Sequence, residues 1–135
     1  MQRRLILIVD DQEINRVILN KMLSEEYQVL QATNGKEALN ILHANKDSIS
    51  AVILDIIMPV MDGYEVLERM SRDKDLSKIP VIVSSQDNNA QSEIKALSLG
   101  AQDFIAKPYD AKIILHRLYN TIKLQSNLDI KNELG

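Results

Sequence analysis

Carboxylates at the ends of two predicted strands are the first feature of the sequence that could do chemistry. Asp10 and Asp11 directly follow the apolar run Leu5–Val9, and Asp55 directly follows the run Ala51–Leu54. Carboxylates that lie close together raise one another's pKa unless a cation separates their charges. A hard divalent cation that prefers oxygen ligands would relieve this repulsion, so the pattern favours Mg²⁺.

Hydroxyl and ammonium groups end two further apolar runs. Ser84 and Ser85 follow the fourth run, and Lys107 follows the fifth. A carboxylate beside a bound metal can attack phosphorus and form an acyl phosphate, which makes Asp55 a candidate nucleophile. Lys107 could balance the charge on the phosphoryl oxygens, and the Ser85 hydroxyl could donate a hydrogen bond to them.

Each of these residues also has a purely structural interpretation when it is taken alone. Asp10 or Asp11 could cap the first helix. Ser84 and Ser85 could be turn residues, and Lys107 could be a solvated surface lysine. The interpretation as a reactive site therefore depends on all of them occurring together.

The composition limits the class of protein. The chain has 135 residues, of which 45% are hydrophobic, and this suits one domain with one core. It has no cysteine, and neither His43 nor His116 ends a predicted strand, so a zinc or copper site is disfavoured. The formal charge is −3 without a dense basic tract, which disfavours direct nucleic-acid binding. The first apolar run is too short to span a membrane, and we expect a cytoplasmic protein.

Apolar runs of strand length alternate with segments whose apolar residues recur at helical spacing. The five runs are Leu5–Val9, Tyr27–Ala32, Ala51–Leu54, Ile79–Val83 and Phe104–Ala106. We assign the apolar stripes of the helices to packing, including Ile14, Val17 and Ile18 in the first helix. Five strands alternating with five helices predict an α/β fold whose parallel sheet has helices on both faces. Such sheets bind ligands at the carboxyl ends of their strands, where the strand order reverses.

The motifs at these strand ends, taken in order, resemble the receiver domain of two-component response regulators, the CheY-like superfamily. They are Val9–Asp11, Leu54–Gly63, Pro80–Ser85 and Gly100–Tyr109. The spacing is also similar to that of the family, with 44 positions from Asp11 to Asp55 and 52 from Asp55 to Lys107. The resemblance covers about residues 4–122. It implies a flavodoxin-like (βα)5 three-layer sandwich with a central five-stranded parallel sheet of order 2-1-3-4-5.

The resemblance also implies a role for each residue of the site. Asp55 would accept a phosphoryl group from a histidine kinase or a histidine phosphotransfer protein. Asp11 and Asp55 would bind Mg²⁺ directly, with Mn²⁺ as a substitute, while Asp10 would act through water and Ile57 through its main-chain carbonyl. Lys107 would pair with the phosphoryl oxygens.

A second part of the resemblance concerns a conformational switch. Ser85 would move toward the phosphoryl group, and Phe104 would rotate into the space that Ser85 leaves. The face formed by the fourth helix, the fifth strand and the fifth helix would then change, which makes it a candidate surface for a homodimer. The peptide bond between Lys107 and Pro108 is expected to be cis.

Several positions modify the usual pattern of the family. Ser85 stands where threonine is more common, but it keeps the hydroxyl. Gln86 replaces a small residue and could crowd the phosphoryl site or shield it from water. Ile57 and Asp87 flank the path of the attacking water. Because Asp87 could orient water and Ile57 could not, we expect these two residues to set the dephosphorylation rate.

Three functions remain to be distinguished. The first is a switch that catalyses its own phosphorylation and dephosphorylation, and such a protein is not an enzyme acting on a metabolite. The second is a metal-dependent phosphatase with an aspartyl nucleophile, a class that usually carries Asp-x-Asp after its first strand. The third is a pseudo-receiver, which usually lacks an acidic residue, the acceptor or the lysine. The sequence matches neither of the last two patterns.

Residues 123–135 lie beyond the region of resemblance. They contain no proline, and their only glycine is Gly135. The segment could continue the last helix and lead to an output domain, or it could be a frayed terminus.

Overall fold

Five strands alternate with five helices in the computed structural model, which describes residues 3–87 and 89–134. The strands are β1 (Leu5–Val9), β2 (Gln28–Ala32), β3 (Ile49–Asp55), β4 (Val81–Ser85) and β5 (Asp103–Ala106). The helices are α1 (Glu13–Leu23), α2 (Gly35–Ala44), α3 (Gly63–Arg72), α4 (Ala90–Ser98) and α5 (Ala111–Leu134). A single 3₁₀ turn, Leu76–Lys78, precedes β4.

The strands form one parallel sheet in the order β2-β1-β3-β4-β5, as predicted. Val9 of β1 is in register with Leu54 of β3, and Asp55 is in register with Ser84 of β4. The strand order reverses between β1 and β3, so the carboxyl ends of these strands flank the crevice where such sheets bind ligands.

Alternating side chains of the strands bury both faces of the sheet. On one face Leu7 and Val9 pack with α2, α3 and α4, and on the other Ile6 and Ile8 pack with α1 and α5. All four side chains are fully buried. Burying a side chain of this size contributes about 1.5–3 kcal/mol, which explains why β1 has no polar residue before Asp10.

Four helices begin at a residue whose side chain caps the helix, and Asp110 is the capping residue of α5. Asn34 accepts a 2.9 Å hydrogen bond from the Glu37 N–H at the start of α2. Asp62 and Asn89 accept equivalent bonds at the starts of α3 and α4. Each cap satisfies a main-chain donor that the helix cannot and contributes about 1 kcal/mol.

The assignment of all helical apolar stripes to packing is wrong for part of α1, and also for Ile94 of α4 and Ile113 of α5, which are exposed. Ile14 and Val17 are 62% and 52% exposed, and Ile18 is also exposed. The residues of α1 that are buried against the sheet and α5 are Leu19 and Leu23. The apolar arc of α1 is therefore wider than the surface that its neighbours cover.

The last helix continues without a break from Ala111 to Leu134. Of the two alternatives for the segment after Ile122, a continued helix or a frayed terminus, the described residues have the continued helix. Ile114, Leu118 and Ile122 anchor the first part of α5 to the core, whereas Leu124 and Leu128 are exposed. Among the helices that the structure describes, none has the length and apolar character needed to cross a bilayer.

Candidate functional site

Three carboxylates converge at the carboxyl ends of β1 and β3. Oxygen atoms of Asp10, Asp11 and Asp55 all lie within 4.8 Å of one another. Asp10 and Asp55 are only 1% and 6% exposed, whereas Asp11 faces solvent. The site therefore combines two buried acids with one accessible acid.

Asp10 is fixed by contacts on all of its oxygens. Its Oδ1 accepts a 2.9 Å hydrogen bond from the Gln12 N–H, and its Oδ2 accepts a 3.0 Å bond from Lys107 Nζ. Its main-chain carbonyl accepts a 2.8 Å bond from Arg16 of α1. These contacts join the end of β1 both to the start of α1 and to the residue that follows β5.

The two carboxylate oxygens of Asp55 differ in their contacts. Oδ1 accepts a 3.0 Å hydrogen bond from the Ile56 N–H and lies 3.3 Å from Lys107 Nζ. Within the described residues, no side chain or main-chain donor is hydrogen-bonded to Oδ2. The carboxylate is thus oriented by its neighbours and keeps an oxygen for an incoming group.

Lys107 is not a solvated surface lysine. Its side chain is 8% exposed and lies between Asp10 and Asp55. Burial acts to lower the pKa of Lys107, but Tyr109 and the two carboxylates outweigh it, and the net pKa lies above its ordinary value. Lys107 therefore stays charged and partly neutralises the acidic cluster. The peptide bond that follows it, to Pro108, is cis, as predicted.

The acidic cluster holds more negative charge than Lys107 balances. Burial, and then the charge of Asp10, raise the pKa of Asp55 from 3.8 to about 6, against opposing contributions from Lys107 and the Ile56 N–H. A cation bound between the carboxylates would relieve this repulsion.

The donor set suits a hard divalent cation. The three acids offer carboxylate oxygens, and no cysteine or histidine takes part in the cluster. Ile57, the proposed source of a carbonyl ligand, is 72% exposed. Among the described residues no hydrogen-bond donor reaches its carbonyl, so this oxygen is free to bind a cation. Oxygen ligands of this kind are those that Mg²⁺ prefers.

The loop after Asp55 is shaped by close main-chain contacts. The Gly63 N–H donates a 2.7 Å hydrogen bond to the Ile56 carbonyl, and a Cβ at position 63 would collide with the main-chain carbonyl of Asp55. Val60 has a φ of 70°, and the Met61 N–H bonds across it to the Pro59 carbonyl at 2.7 Å. This is a γ-turn with a β-branched residue in a left-handed conformation, which costs roughly 1–3 kcal/mol.

Ser85 and Phe104, the predicted switch residues, lie on neighbouring strands. Ser85 is buried at the end of β4, and its Oγ accepts a 3.0 Å hydrogen bond from the Asp87 N–H. Phe104 is half-buried on β5, in register with Val83, and packs against the core. It also borders a cavity of about 380 Å³ together with Ile113 of α5.

Ser84 has a partner that the sequence did not reveal. It lies inside β4 and is not a turn residue, with 1% of its surface exposed. Its Oγ is 3.1 Å from the hydroxyl of Tyr109, two residues after Lys107. Burial raises the pKa of Tyr109 to about 12, so the phenol stays protonated. A buried serine implies a hydrogen-bond partner, but the sequence cannot say which of the distant polar residues supplies it.

Gln86 is exposed and does not fill the acidic cluster. It lines a cavity of about 270 Å³ beside Lys107, Tyr109 and Ile18 of α1. Gln86 therefore lies on the Lys107 side of the site. Asp87, which was predicted to orient water, hydrogen-bonds through both carboxylate oxygens to residues at the start of α4.

The arrangement as a whole can support attack by a carboxylate on phosphorus. Asp55 has a free oxygen, Lys107 supplies a fixed positive charge, and the acidic pair Asp10 and Asp11 offers ligands for a cation. Charges that are held in position before a reaction stabilise the charge that develops during it.

Comparisons with known proteins agree with this fold. The family model for the response regulator receiver domain matches residues 6–119. A relative from Porphyra purpurea, named "Probable transcriptional regulator ycf29", is 33% identical over 122 residues, which are 90% of this chain and 57% of the relative. The chain spans about half the length of the curated relatives that it resembles, for example 57% and 54% of two of them.

Two solved structures illustrate the structural similarity. A response regulator receiver domain protein from Clostridium thermocellum has a TM-score of 0.85 at 26% identity, covering 93% of this chain and 98% of that one. A chain of the CheX-CheY-BeF3-Mg+2 complex from Borrelia burgdorferi has a TM-score of 0.83 at 30% identity, covering 88% of this chain and 89% of that one. Since the family model covers most of the sequence and the fold agrees with it, the chain belongs to the response regulator receiver domain family.

Proposed function

We propose that this chain is a phospho-acceptor switch in which Asp55 receives a phosphoryl group from a phosphohistidine. The observation that carries the proposal is the setting of Asp55. It is buried at the end of β3, with one oxygen held beside Lys107 and the other free. A carboxylate fixed in this way is oriented before it reacts, which lowers the barrier to attack.

In the proposed transfer, a carboxylate oxygen of Asp55 forms a bond to phosphorus as the phosphorus–nitrogen bond of the donor histidine breaks. The electron pair of that bond returns to the imidazole, whose other ring nitrogen carries a proton in the donor, so the ring leaves as neutral histidine. Lys107 would exchange its present contacts with Asp10 and Asp55 for contacts with the phosphoryl oxygens. The acyl phosphate that forms is the switched state.

The residues fit a divalent cation as an accessory. Asp11, Asp55 and the Ile57 carbonyl would hold Mg²⁺, or Mn²⁺ in its place, and Asp10 would act through a water molecule. Bound Mg²⁺ would supply positive charge next to the phosphoryl oxygens. The Borrelia burgdorferi complex, which has BeF3 and Mg²⁺ in its name, supports the assignment by similarity.

The exposed face of α1 suits the phosphodonor. Ile14, Val17 and Ile18 leave an apolar surface on the helix that follows the acidic pair. A histidine kinase or a histidine phosphotransfer protein that packs on this surface would bring its phosphohistidine toward Asp55. Exposed apolar patches of this kind mark interaction sites.

The proposed output uses the other side of the molecule. Ser85 would respond to the phosphoryl group and Phe104 would follow it, changing the face of α4, β5 and α5. Ile94 and Ile113 are exposed on this face, which fits a homodimer or a target protein. We infer that the protein works in the cytoplasm as a switch, not as a metabolic enzyme, and that residues 4–122 form the receiver. In this proposal α5 beyond Ile122 leads toward an output domain, which would fit relatives of which the chain spans only about half the length.

Intact mass spectrometry tests this function. The chain is incubated with Mg²⁺ and acetyl phosphate beside Asp55→Asn and, as a matched control, Asp47→Asn, which removes an exposed carboxylate away from the site. We expect a phosphoryl adduct on the parent and on the control but not on Asp55→Asn. Turnover of small phosphoesters without an adduct would favour the phosphatase, and neither adduct nor turnover would favour the pseudo-receiver.

A further inference from the structure

The carboxylate of Asp87 is held by the start of α4. Its Oδ1 accepts a 2.6 Å hydrogen bond from Asn89 Nδ2 and a 3.4 Å bond from the Asn89 N–H. Its Oδ2 accepts a 3.0 Å bond from Ser92 Oγ. Both oxygens are thus engaged by side chains on the α4 side of the loop, although Asp87 is exposed to solvent.

The same residues build the N-terminal cap of α4. Asn89 Oδ1 accepts a 2.8 Å hydrogen bond from the Ser92 N–H. This cap holds Asn89 and Ser92 in place at the start of the helix. Their side-chain donors therefore meet Asp87 in a constant geometry. Removal of the Ser92 hydroxyl would leave the cap intact, since the cap uses the main-chain N–H of Ser92.

The main chain of Asp87 is tied to the proposed site. Its N–H donates a 3.0 Å hydrogen bond to Ser85 Oγ, at the end of the strand that pairs with β3. Asp87 is therefore one hydrogen bond away from the hydroxyl that would meet the phosphoryl group. In this structure its carboxylate is turned toward α4, where Asn89 and Ser92 bind it.

We propose that Ser92 and Asn89 sequester the Asp87 carboxylate and thereby prolong the phosphorylated state. This inference rests on the proposed role of Asp55. Asp87 is the group that would orient the attacking water, and Ser92 is a positioning residue that acts through it. A carboxylate with two or three donors on it is a weaker acceptor for a water molecule, so hydrolysis is slow while the contacts persist.

The step that Asp87 would assist is hydrolysis of the acyl phosphate. The oxygen of a water molecule forms a bond to phosphorus, and the bond between phosphorus and the Asp55 carboxylate oxygen breaks. The electron pair of that bond returns to Asp55. One proton of the water passes to the Asp87 carboxylate and then to solvent, and the phosphoryl group leaves as inorganic phosphate.

The test measures how fast the phosphoryl adduct decays after acetyl phosphate is removed. Ser92→Ala is compared with Ser98→Ala, a control on the same helix whose hydroxyl, among the described residues, bonds only to the Lys95 carbonyl. We expect Ser92→Ala to accelerate decay about threefold to tenfold, the range expected for one hydrogen bond. Ser98→Ala should decay like the parent, and Ser92→Thr, which keeps the hydroxyl, should restore the slow rate.

A double-variant cycle separates this mechanism from a general loosening of α4. In an Asp87→Ala background, Ser92→Ala should leave the decay rate unchanged, because the group that Ser92 restrains is gone. An acceleration that persists in this background would overturn the proposal, as would parent-like decay of Ser92→Ala alone. If no variant forms an adduct, the proposed function has failed; if adducts form and only the rates disagree, the inference about Ser92 has failed.

Discussion

Lys107 Nζ lies 3.0 Å from Asp10 Oδ2 and 3.3 Å from Asp55 Oδ1, so one buried ammonium bridges the two buried carboxylates of the site. The lysine is thus already inside the acidic cluster before any phosphoryl group arrives. Its positive charge offsets part of the repulsion between Asp10 and Asp55. The stability of the fold and the chemistry of the site are therefore linked through this side chain.

Replacement of Lys107 should destabilise the protein. Lys107→Met leaves two buried carboxylates without their cation, and breaking a buried pair in this way costs about 3 kcal/mol. Urea denaturation without Mg²⁺ should show this loss. Addition of Mg²⁺ should return part of it, because the metal would take over the neutralising role. A Lys107→Met variant as stable as the parent without Mg²⁺ would contradict the importance of the bridge.

Asp55 should make the parent less stable as the pH rises. Because the pKa of Asp55 is raised from 3.8 to about 6, the folded state binds its proton more tightly than the unfolded chain does. Its contribution to stability is complete below about pH 4 and is lost as the pH rises through about 6. Without Mg²⁺, Asp55→Asn should therefore be more stable than the parent at about pH 8, by about 2 kcal/mol after allowance for solvent screening.

The advantage of Asp55→Asn should shrink as the pH falls through about 6 and should be gone by about pH 3, where Asp55 of the parent is neutral in both the folded and the unfolded state. Thermal unfolding of both proteins across this range measures it. Equal stability of the two proteins at about pH 8 would mean that the charged Asp55 carboxylate does not destabilise the folded state.

Binding of Mg²⁺ should depend on the same titration. A carboxylate ligand must lose its proton before it binds a metal, so the affinity for Mg²⁺ should fall as the pH drops through about 6. Calorimetric titration at several pH values measures the affinity directly. Asp55→Asn should bind more weakly and show less of this pH dependence. A parent affinity that does not change with pH would count against Asp55 as a ligand.

The hydrogen bond between Ser84 and Tyr109 should be visible in a double-variant cycle. Tyr109→Phe leaves the buried Ser84 hydroxyl without its partner, at a cost of about 1–3 kcal/mol. Ser84→Ala alone does the same to the Tyr109 hydroxyl. The double variant removes both groups and should lose less stability than the two single losses added together. Additive losses, measured by urea denaturation, would show that the two hydroxyls are not coupled.

The sequence predicted the sheet and the acidic cluster because both follow from local patterns. A buried parallel strand needs a continuous apolar run, and β1 has one that ends at Asp10. Once the strands are ordered, their carboxyl ends meet, so the proximity of Asp10 to Asp55 needs no further information. The resemblance to a known family added the strand order and the cis bond before Pro108, both of which the structure has.

Other features depend on contacts that no local pattern encodes. Ser84 and Tyr109 are 25 residues apart, and only the folded chain brings their hydroxyls together. The exposure of Ile14 depends on how much of α1 its neighbours cover. The capture of Asp87 by Ser92 depends on the exact start of α4, which sequence patterns fix least well.

The central claim is that Asp55, among the acids of the cluster, carries the phosphoryl group. Treatment with phosphoramidate, a phosphorus–nitrogen donor, and Mg²⁺, followed by borohydride reduction, converts a phosphorylated aspartate into homoserine, which peptide mapping by mass spectrometry can locate. This account predicts homoserine at position 55 in the parent and at no position in Asp55→Asn. Homoserine at Asp10 or Asp11, or its absence from the parent when the donor and the metal are both present, would contradict it.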